Sequence, residues 1–197
     1  MTKPRAPRQD AARNREKLLT AAIDAFSQHG LDASLEAIAR DAGVGIGTLY
    51  RHFPTREALA IAAYQHEVEQ LCAKAQELKA TLPPDEALRE WMSRFVGYVA
   101  AKRGLAPILR TVLAPDADLF TDLRALIHGA LGDLLHHAAQ TGVIRDDIGV
   151  EDVMHAMSGV WLASAEPHWH DQAERLLDLL MDGLRYRAPG SGYTRDP

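Results

Sequence analysis

The 197-residue sequence contains a single cysteine, Cys72, which excludes an internal disulfide bond. It also lacks an apolar run of the roughly 18 residues that a membrane-spanning helix needs, and it lacks the apolar centre of a signal peptide. These absences predict a soluble protein of the cytoplasm. Cys72 stands among apolar residues at helical spacing, so we expect it to pack against other side chains, with a redox sensor as the alternative.

The sequence patterns of common enzymes are missing as well. Gly43, Gly45 and Gly47 alternate with single residues, but no strand precedes them as it would in a dinucleotide-binding turn. Neither a nucleophile elbow nor an acid–base pair at helical spacing is present. We therefore expect no enzymatic activity and no cofactor.

Histidines are concentrated in the second half of the chain: His128, His136, His137, His155, His168 and His170. No cysteine cluster and no His-Glu-x-x-His pattern accompanies them, and the adjacent side chains at 136 and 137 point to different sides of a helix. The sequence therefore predicts no metal site, while a metal-sensing protein stays open as an alternative.

Apolar residues recur at helical spacing along most of the chain, and no stretch alternates as a strand would. The predicted helices span about residues 10–28, 55–79, 85–102, 107–113, 117–140, 150–165 and 171–187, with two short helices between 34 and 53. The predicted fold class is therefore all-α. Residues 1–11 form a basic, proline-rich arm and residues 188–197 a tail, and we expect both to be flexible. Arg5 and Arg8 of the arm are candidates for a minor groove, the alternative being an inert arm.

Residues 34–53 hold the most specific pattern of the sequence, which is two short helices joined by a tight turn. Ser34 is a suitable N-cap for the first helix. Gly43 stands where the chain must reverse, a position that favours a positive φ. Leu49 and Phe53 repeat the i, i+4 spacing of the second helix, and a proline follows at once. This order is typical of a helix-turn-helix, whose second helix enters the DNA major groove.

With Leu49 and Phe53 turned inward, the second helix presents glycines and polar side chains outward: Gly45, Gly47, Thr48, Tyr50, Arg51 and His52. Glycines allow a partner to approach the backbone closely. Short or rigid donors suit phosphate oxygens, and a guanidinium can bind guanine through two hydrogen bonds. The alternatives are a partly buried Tyr50 and a merely solvated Arg51.

The charge of the chain is unevenly distributed. Residues 1–56 carry nine basic and six acidic side chains, a net charge of +3, whereas the remaining residues carry 13 basic and 21 acidic ones, a net charge of −8. A basic N-terminal segment on an acidic chain indicates local, oriented binding of nucleic acid. We expect non-specific DNA binding to be weak and strongly salt-dependent.

The segment AIARDAGVGIGTLYRHFPTREAL, residues 37–59, resembles the DNA-binding signature of the TetR (tetracycline-repressor-like) transcriptional regulators. The resemblance covers about residues 12–60 closely and the rest of the all-helical chain loosely. It implies a three-helix DNA-binding domain at 12–56 and a helical ligand-binding and dimerisation domain at 57–187. By resemblance, Thr48, Tyr50 and His52 contact DNA and Arg56 holds a phosphate. The full set of candidate DNA-binding residues is Ser34, Arg40, Gly45, Gly47, Thr48, Tyr50, Arg51, His52 and Arg56.

The sequence departs from the family pattern at two positions. Members often carry lysine where Arg56 stands, and arginine keeps the charge while changing the geometry of a phosphate contact. Many members carry serine where Gly45 stands, and glycine is a tolerable N-cap.

The C-terminal domain has two further tasks if the resemblance holds. Its last two helices carry apolar residues that we expect at a two-fold dimer interface: Val153, Met157, Val160, Leu176, Leu177, Leu180 and Leu184. A dimer of this kind predicts a palindromic operator. Candidate residues for a ligand pocket are Trp91, Phe95, Tyr98, Leu109, Phe120, Leu123, Ile127 and Trp161. Both sets would also suit an ordinary helical core, and that alternative stays open.

The sequence thus predicts a homodimeric DNA-binding transcriptional regulator that a small molecule releases from its operator, most simply a repressor. The alternatives are a transcriptional activator, or a helical small-molecule or metal sensor whose DNA head is not used. We expect double-stranded DNA, a second copy of the chain and an unidentified small molecule as partners, and no membrane.

Overall fold

The computed structural model describes residues 7–113, 117–163 and 169–186, with side chains for 10–30, 32–99, 119–160 and 169–186. Within these ranges the chain forms helices and no strand, which confirms the all-α prediction. The helices are α1 (Pro7–His29), α2 (Leu35–Asp41), α3 (Ile46–His52), α4 (Arg56–Thr81), α5 (Pro84–Leu113), α6 (Ala117–Gln140), α7 (Val150–Ala163) and α8 (Trp169–Arg185). A single 3-10 turn, Gly30–Asp32, follows α1.

Several sequence predictions fall outside the described residues. They are the first six residues of the arm with Arg5, the tail 188–197, and His168. Residues 7–11 of the arm belong to α1, so the prediction that they are flexible was wrong. The side chains of Arg8, Leu109 and Trp161 also lie outside the description.

Helix α5 is continuous, whereas the sequence predicted separate helices at 85–102 and 107–113. Gly104 and Pro107 led to that prediction because both residue types weaken helices. In a helix interior glycine costs about 1 kcal/mol and proline about 3 kcal/mol relative to alanine. Helix α5 is 30 residues long and runs through both positions. These local penalties therefore lower its stability without ending it, and the separate short helix was wrong.

The described residues form two compact units. The first, called the head below, lies within residues 1–67 and 101–120, and the second, called the body, lies within 68–100 and 121–197. Helix α4 passes from the head to the body after Glu67, and α5 passes from the body to the head after residue 100. No described helix is both long and apolar enough to span a lipid bilayer.

The core of the head is formed by the apolar faces of α1, α2 and α3. Leu18 and Phe26 of α1, Ile38 of α2 and Leu49 of α3 are fully buried. Leu18 and Phe26 are eight residues apart and so lie on one face of α1, and the inward position of Leu49 is the one that the sequence predicted. Gly30 takes a φ of 54° and follows the last residue of α1, as expected of a glycine at a helix end.

Trp91 anchors the core of the body. Its ring is fully buried, and its indole N–H donates a 3.0 Å hydrogen bond to the Leu71 carbonyl oxygen, which joins α5 to α4. The ring also stacks on Phe95 with 5.7 Å between centroids. A buried tryptophan with a satisfied N–H combines a large apolar contact with a specific one. Cys72 is half-buried, and burial raises the pKa of its thiol, which makes it a poor nucleophile at neutral pH.

Charged pairs fix α8 against the first turns of α5. The Arg89 guanidinium lies 2.6 Å from a Glu174 carboxylate oxygen and 2.8 Å from an Asp178 oxygen. A second ion pair has its arginine on α8: the Arg185 guanidinium lies 2.6 Å from an Asp85 oxygen of α5. These pairs are partly exposed, so their main effect is to set the register of the two helices rather than to add much stability.

Glu67 places a carboxyl group in the interior of the head. Its Oε2 atom is buried and has no hydrogen-bond partner among the described residues. Burial raises the pKa of Glu67 to about 7, and the charge of Asp24 on α1 adds to the rise. The Glu67 carboxyl group is therefore protonated in the folded head at pH values at which it is ionised in the unfolded chain.

We predict that Glu67→Gln stabilises the protein in a pH-dependent way. The stability of the folded protein with a protonated Glu67 is fully present below the unfolded pKa of 4.5. It is lost as the pH rises through about 7, where the folded carboxyl group ionises. Removal of the titrating group should raise the free energy of unfolding by about 2 kcal/mol near pH 8 and change it little near pH 4.

Urea denaturation at both pH values measures this difference. Glu69→Gln is the matched control because Glu69 is an exposed neighbour on the same helix. Equal effects of Glu67→Gln at the two pH values would contradict a buried titrating carboxyl.

Candidate nucleic-acid interface

Helix α2, which precedes the turn of the helix-turn-helix, has defined interactions at both of its ends. The Ser34 hydroxyl accepts a 3.2 Å hydrogen bond from the Ala37 backbone N–H and so caps α2. At the other end, Gly43 has a φ of 68°, and the Val44 N–H donates to the Ala39 carbonyl at 2.9 Å. The glycine and the cap are those that the sequence predicted, and together they set the direction in which α3 leaves the turn.

Helix α3 buries one side and leaves the other open. Leu49 is fully buried, and Phe53, which follows the helix, is buried as well. At about 3.6 residues per turn, Gly47 and Arg51 then point most directly away from the core. Ile46 and Tyr50 flank them on one side, and the half-buried Thr48 and His52 flank them on the other. All the residues that the sequence assigned to this surface therefore lie at the surface of the head.

Gly45 and Gly47 are not required by the packing of the head. A Cβ atom built on either residue meets no atom within 4 Å, and neither residue has a positive φ. Gly43 differs, because its φ of 68° strains any residue with a side chain. The fold thus requires glycine at position 43 and does not require it at positions 45 and 47.

Arg51 lies back along α3. Its Nε donates a 3.1 Å hydrogen bond to the Gly47 carbonyl oxygen, and its Nη2 lies 3.4 Å from the Thr48 hydroxyl. A guanidinium has five N–H donors, so these contacts hold the side chain in place and leave donors for a phosphate or a base. Arg51 is therefore more ordered than a simple solvated charge.

Arg56 joins the start of α4 to the loop before α2. Its guanidinium donates a hydrogen bond to the Ala33 carbonyl oxygen, 23 residues earlier in the chain. Glu36 is close enough for Arg56 to contribute to a lowered Glu36 pKa, although the backbone N–H of Glu36 and the Ser34 hydroxyl contribute more. Arg56 thus has a structural contact that the sequence did not predict, and its remaining donors are available to a phosphate.

The other predicted DNA-binding side chains are accessible. Tyr50 is 46% exposed. Arg40 is exposed at the end of α2, where its Nε lies 3.5 Å from an exposed Asp41 oxygen. The ring of His52 lies 6.1 Å from that of Phe53, which restricts its orientation.

Sequence reasoning missed two residues of this surface. Ile46 is the first residue of α3 and is 37% exposed. It lies three residues before Leu49, on the flank of α3 between the buried side and the outer face, and it offers none of the polar donors that the sequence pattern pointed to. Arg15 of α1 places its guanidinium 5.5 Å from the centroid of the Phe53 ring, a cation–π contact that depends on the folded arrangement of the head.

The residues predicted for a ligand pocket fall into three groups. Trp91, Phe95, Tyr98, Leu123 and Ile127 are buried in the body, and the Phe95 and Tyr98 rings lie 5.9 Å apart. Phe120 belongs to the head, where its ring stacks on Tyr64 with 6.2 Å between centroids. The remaining two side chains, those of Leu109 and Trp161, lie outside the description. Whether these residues line a pocket stays a prediction.

The face predicted for dimerisation is divided by the structure. Five of its residues are buried within one chain and hold α7 against α8: Val153, Met157, Val160, Leu177 and Leu184. Burial of this kind places them in the core of the body. Val153, Val160 and Leu184 also line the groove described next, and whether any of the five contacts a second chain stays a prediction. Leu176 and Leu180 are half-buried and line an apolar groove of about 590 Å³ together with Ala156, Gly159, Leu179 and Gly183.

Among the described residues, no three histidine, cysteine or acidic side chains are placed to hold one metal ion. The Nδ1 atom of His128 lies 3.1 Å from a Glu151 oxygen, and its Nε2 atom accepts a 3.3 Å hydrogen bond from the Arg124 Nε. Both ring nitrogens of His128 are thus engaged by protein groups.

Comparison with known proteins assigns both parts of the chain to one group of regulators. Residues 18–63 match the family of bacterial regulatory proteins, tetR family, and residues 83–186 match the C-terminal domain of SbtR-like transcriptional regulators. The crystal structure of the TetR transcriptional regulator SCO0520 from Streptomyces coelicolor is 54% identical, covers 87% of this chain and 98% of its own, and has a TM-score of 0.82.

Two further relatives agree with this assignment. A TetR transcription regulatory protein from Mycobacterium vanbaalenii is 35% identical, with 91% of this chain and 99% of its own covered and a TM-score of 0.76. The HTH-type transcriptional repressor KstR from Rhodococcus jostii is 28% identical over 157 residues, which are 76% of this chain and 70% of KstR. The chain belongs to the TetR family of DNA-binding transcriptional regulators.

Proposed function

We propose that the protein is a homodimeric repressor that binds a palindromic operator and is released from it by a small molecule. The observation that carries this proposal is the outer face of α3, where two glycines that the fold does not require stand beside ordered polar side chains. A surface of this kind suits close approach to base edges and phosphates. Arg56 is proposed to hold a phosphate through the donors that its bond to Ala33 leaves available.

The groove on α7 and α8 supports dimerisation. Most of its lining residues are apolar or small, with Arg145 and Asp152 as the charged ones, and Leu179 is 68% exposed in the single chain. Small residues such as Gly159 and Gly183 allow a second pair of helices to approach closely. A two-fold contact here would present two α3 helices to two half-sites about one turn of DNA apart. Leu176, Leu179 and Leu180 are the residues that we propose at the centre of this contact.

Helix α4 supports a link between ligand binding and DNA binding. It is one continuous helix whose first turns follow α3 in the head and whose later turns receive the Trp91 N–H in the body. A ligand that favours one arrangement of the body can act on the head only through a difference in affinity between two conformations. Buried aromatic residues such as Phe95 and Tyr98 favour an apolar ligand. We propose that the protein acts in the cytoplasm, on the chromosome, and without catalysis; an activator that uses the same DNA contacts is the second candidate.

We predict that Gly47→Ala changes stability and DNA binding in opposite directions. Because the added Cβ meets no protein atom, alanine should raise the free energy of unfolding by roughly 0.5–1 kcal/mol through its better helix propensity. The same methyl group should weaken operator binding by about tenfold or more, or about 1.4 kcal/mol, because it stands where the helix meets DNA.

Denaturation and binding titrations on one preparation measure both effects. The probe is the duplex most enriched by the purified protein from a randomised library of about 30 base pairs, long enough for two half-sites. Gly129→Ala is the matched control, since Gly129 is an exposed helical glycine of the body with equally open space. If Gly47→Ala binds the selected duplex with wild-type affinity, the main support for DNA binding by the outer face of α3 is lost.

We also predict that Leu179→Glu dissociates the dimer without unfolding the chain. Leu179 is largely exposed in one chain, so a charge there costs the folded monomer little, whereas two buried carboxylates would face each other across a two-fold contact. Sedimentation velocity should show a dimer for wild type and a monomer for the variant, with unchanged helix content.

Leu126→Glu provides the control, because Leu126 is 49% exposed on α6 of the same unit. If Leu179→Glu sediments as a dimer, as wild type is expected to do, the dimer contact lies elsewhere.

A further inference from the structure

Ile46 is an apolar side chain on a surface otherwise made of glycines and polar groups. It is the first residue of α3, it is 37% exposed, and the nearest exposed large apolar residue is Tyr50 on the next turn. Gly45 and Gly47 on either side have no side chains and open space around them. The Ile46 side chain therefore projects alone from this part of the turn and helix.

Packing within the head covers the Ile46 side chain only in part. The apolar core of the head is closed by Leu49, Ile38 and Phe53, each of which is buried, and Ile46 is outside that set. A β-branched residue also has a lower helix propensity than alanine or leucine. One exposed apolar residue is unremarkable by itself. Its place on the DNA-binding face, between two glycines that the fold does not require, points to a contact with the ligand of that face.

The polar groups next to Ile46 are already arranged for other contacts. The Arg51 guanidinium lies over Gly47 and Thr48, through the hydrogen bonds that its Nε and Nη2 make there. These hydrogen bonds turn the Arg51 side chain toward Thr48, on the side of α3 opposite Ile46 and Tyr50, and so leave Ile46 uncovered by it.

We propose that Ile46 is a specificity-determining residue that recognises thymine through van der Waals contact with its C5 methyl group. Among the four bases, thymine alone presents a methyl group in the major groove. The glycine at 47 allows α3 to come close enough for a short, branched side chain to reach that methyl group. This inference rests on the DNA-binding role of α3 and adds to it the base that one residue reads.

The test removes the methyl group from the DNA instead of changing the protein. In the duplex enriched from the randomised library, each thymine is replaced in turn by uracil, which has the same hydrogen-bonding groups and no methyl. At one position of each half-site, uracil should weaken wild-type binding by about threefold to fivefold, the effect of one buried methyl group. Ile46→Ala should bind the thymine and uracil duplexes equally well.

Two further variants make the result specific to Ile46. Ile46→Val keeps a branched side chain and should retain a reduced sensitivity to uracil at the same position. Leu126→Ala, a matched loss of an exposed aliphatic side chain in the body, should keep the full wild-type sensitivity. Thermal denaturation of each variant, read beside the binding data, reports whether the head stays folded.

Either of two results would overturn the inference: wild type that tolerates uracil at every position, or Ile46→Ala that keeps the wild-type sensitivity. Failure to enrich any duplex is a different result, since it contradicts the DNA-binding function itself and the inference falls with it. If wild type tolerates uracil at every position but still enriches one duplex, the proposed DNA-binding function stands and only the role of Ile46 is contradicted.

Discussion

The burial of Leu49 is the contact on which the DNA-binding surface depends. Leu49 fixes the rotation of α3 against α1 and α2, and this rotation decides which residues of a seven-residue helix meet solvent. A helix this short has little stability of its own, so its position comes from packing and from the turn before it. Gly43 provides that turn through a backbone conformation that other residues adopt only with strain. The burial of Leu49 and the turn at Gly43 together place Gly47, Arg51 and Ile46 at the surface of α3.

The head combines such constraints with features that lower its stability. Gly47 gives up helix propensity, and Glu67 keeps a carboxyl group in an interior that favours its protonated form. Natural proteins commonly accept such costs where function requires them. For Gly47 the proposed requirement is the approach of DNA. Within the described residues the structure offers no partner for the buried Oε2 of Glu67, so its cost has no comparable explanation.

How far the sequence predicted the structure depended on whether a signal was local. The Ser34 cap, the positive φ of Gly43 and the inward Leu49 follow from short-range spacing, and each was predicted correctly. Local reasoning failed at Pro107, where a helix-weakening residue was taken as a helix end although α5 continues. Contacts between distant segments, such as that of Arg56 with Ala33, leave no periodic signal and could not be predicted. In the last two helices, spacing identified apolar faces but could not separate residues buried within one chain from those open to a second.

The central claim is that the outer face of α3 directs this protein to specific DNA, and selection of fragments from the source genome tests it most directly. Wild type and Tyr50→Ala would be incubated in parallel with sheared genomic DNA near physiological salt, and the retained fragments sequenced. The account predicts that wild type enriches fragments that share an inverted repeat, and that Tyr50→Ala, folded and dimeric, does not. Equal enrichment by both proteins, or none by either, would contradict it.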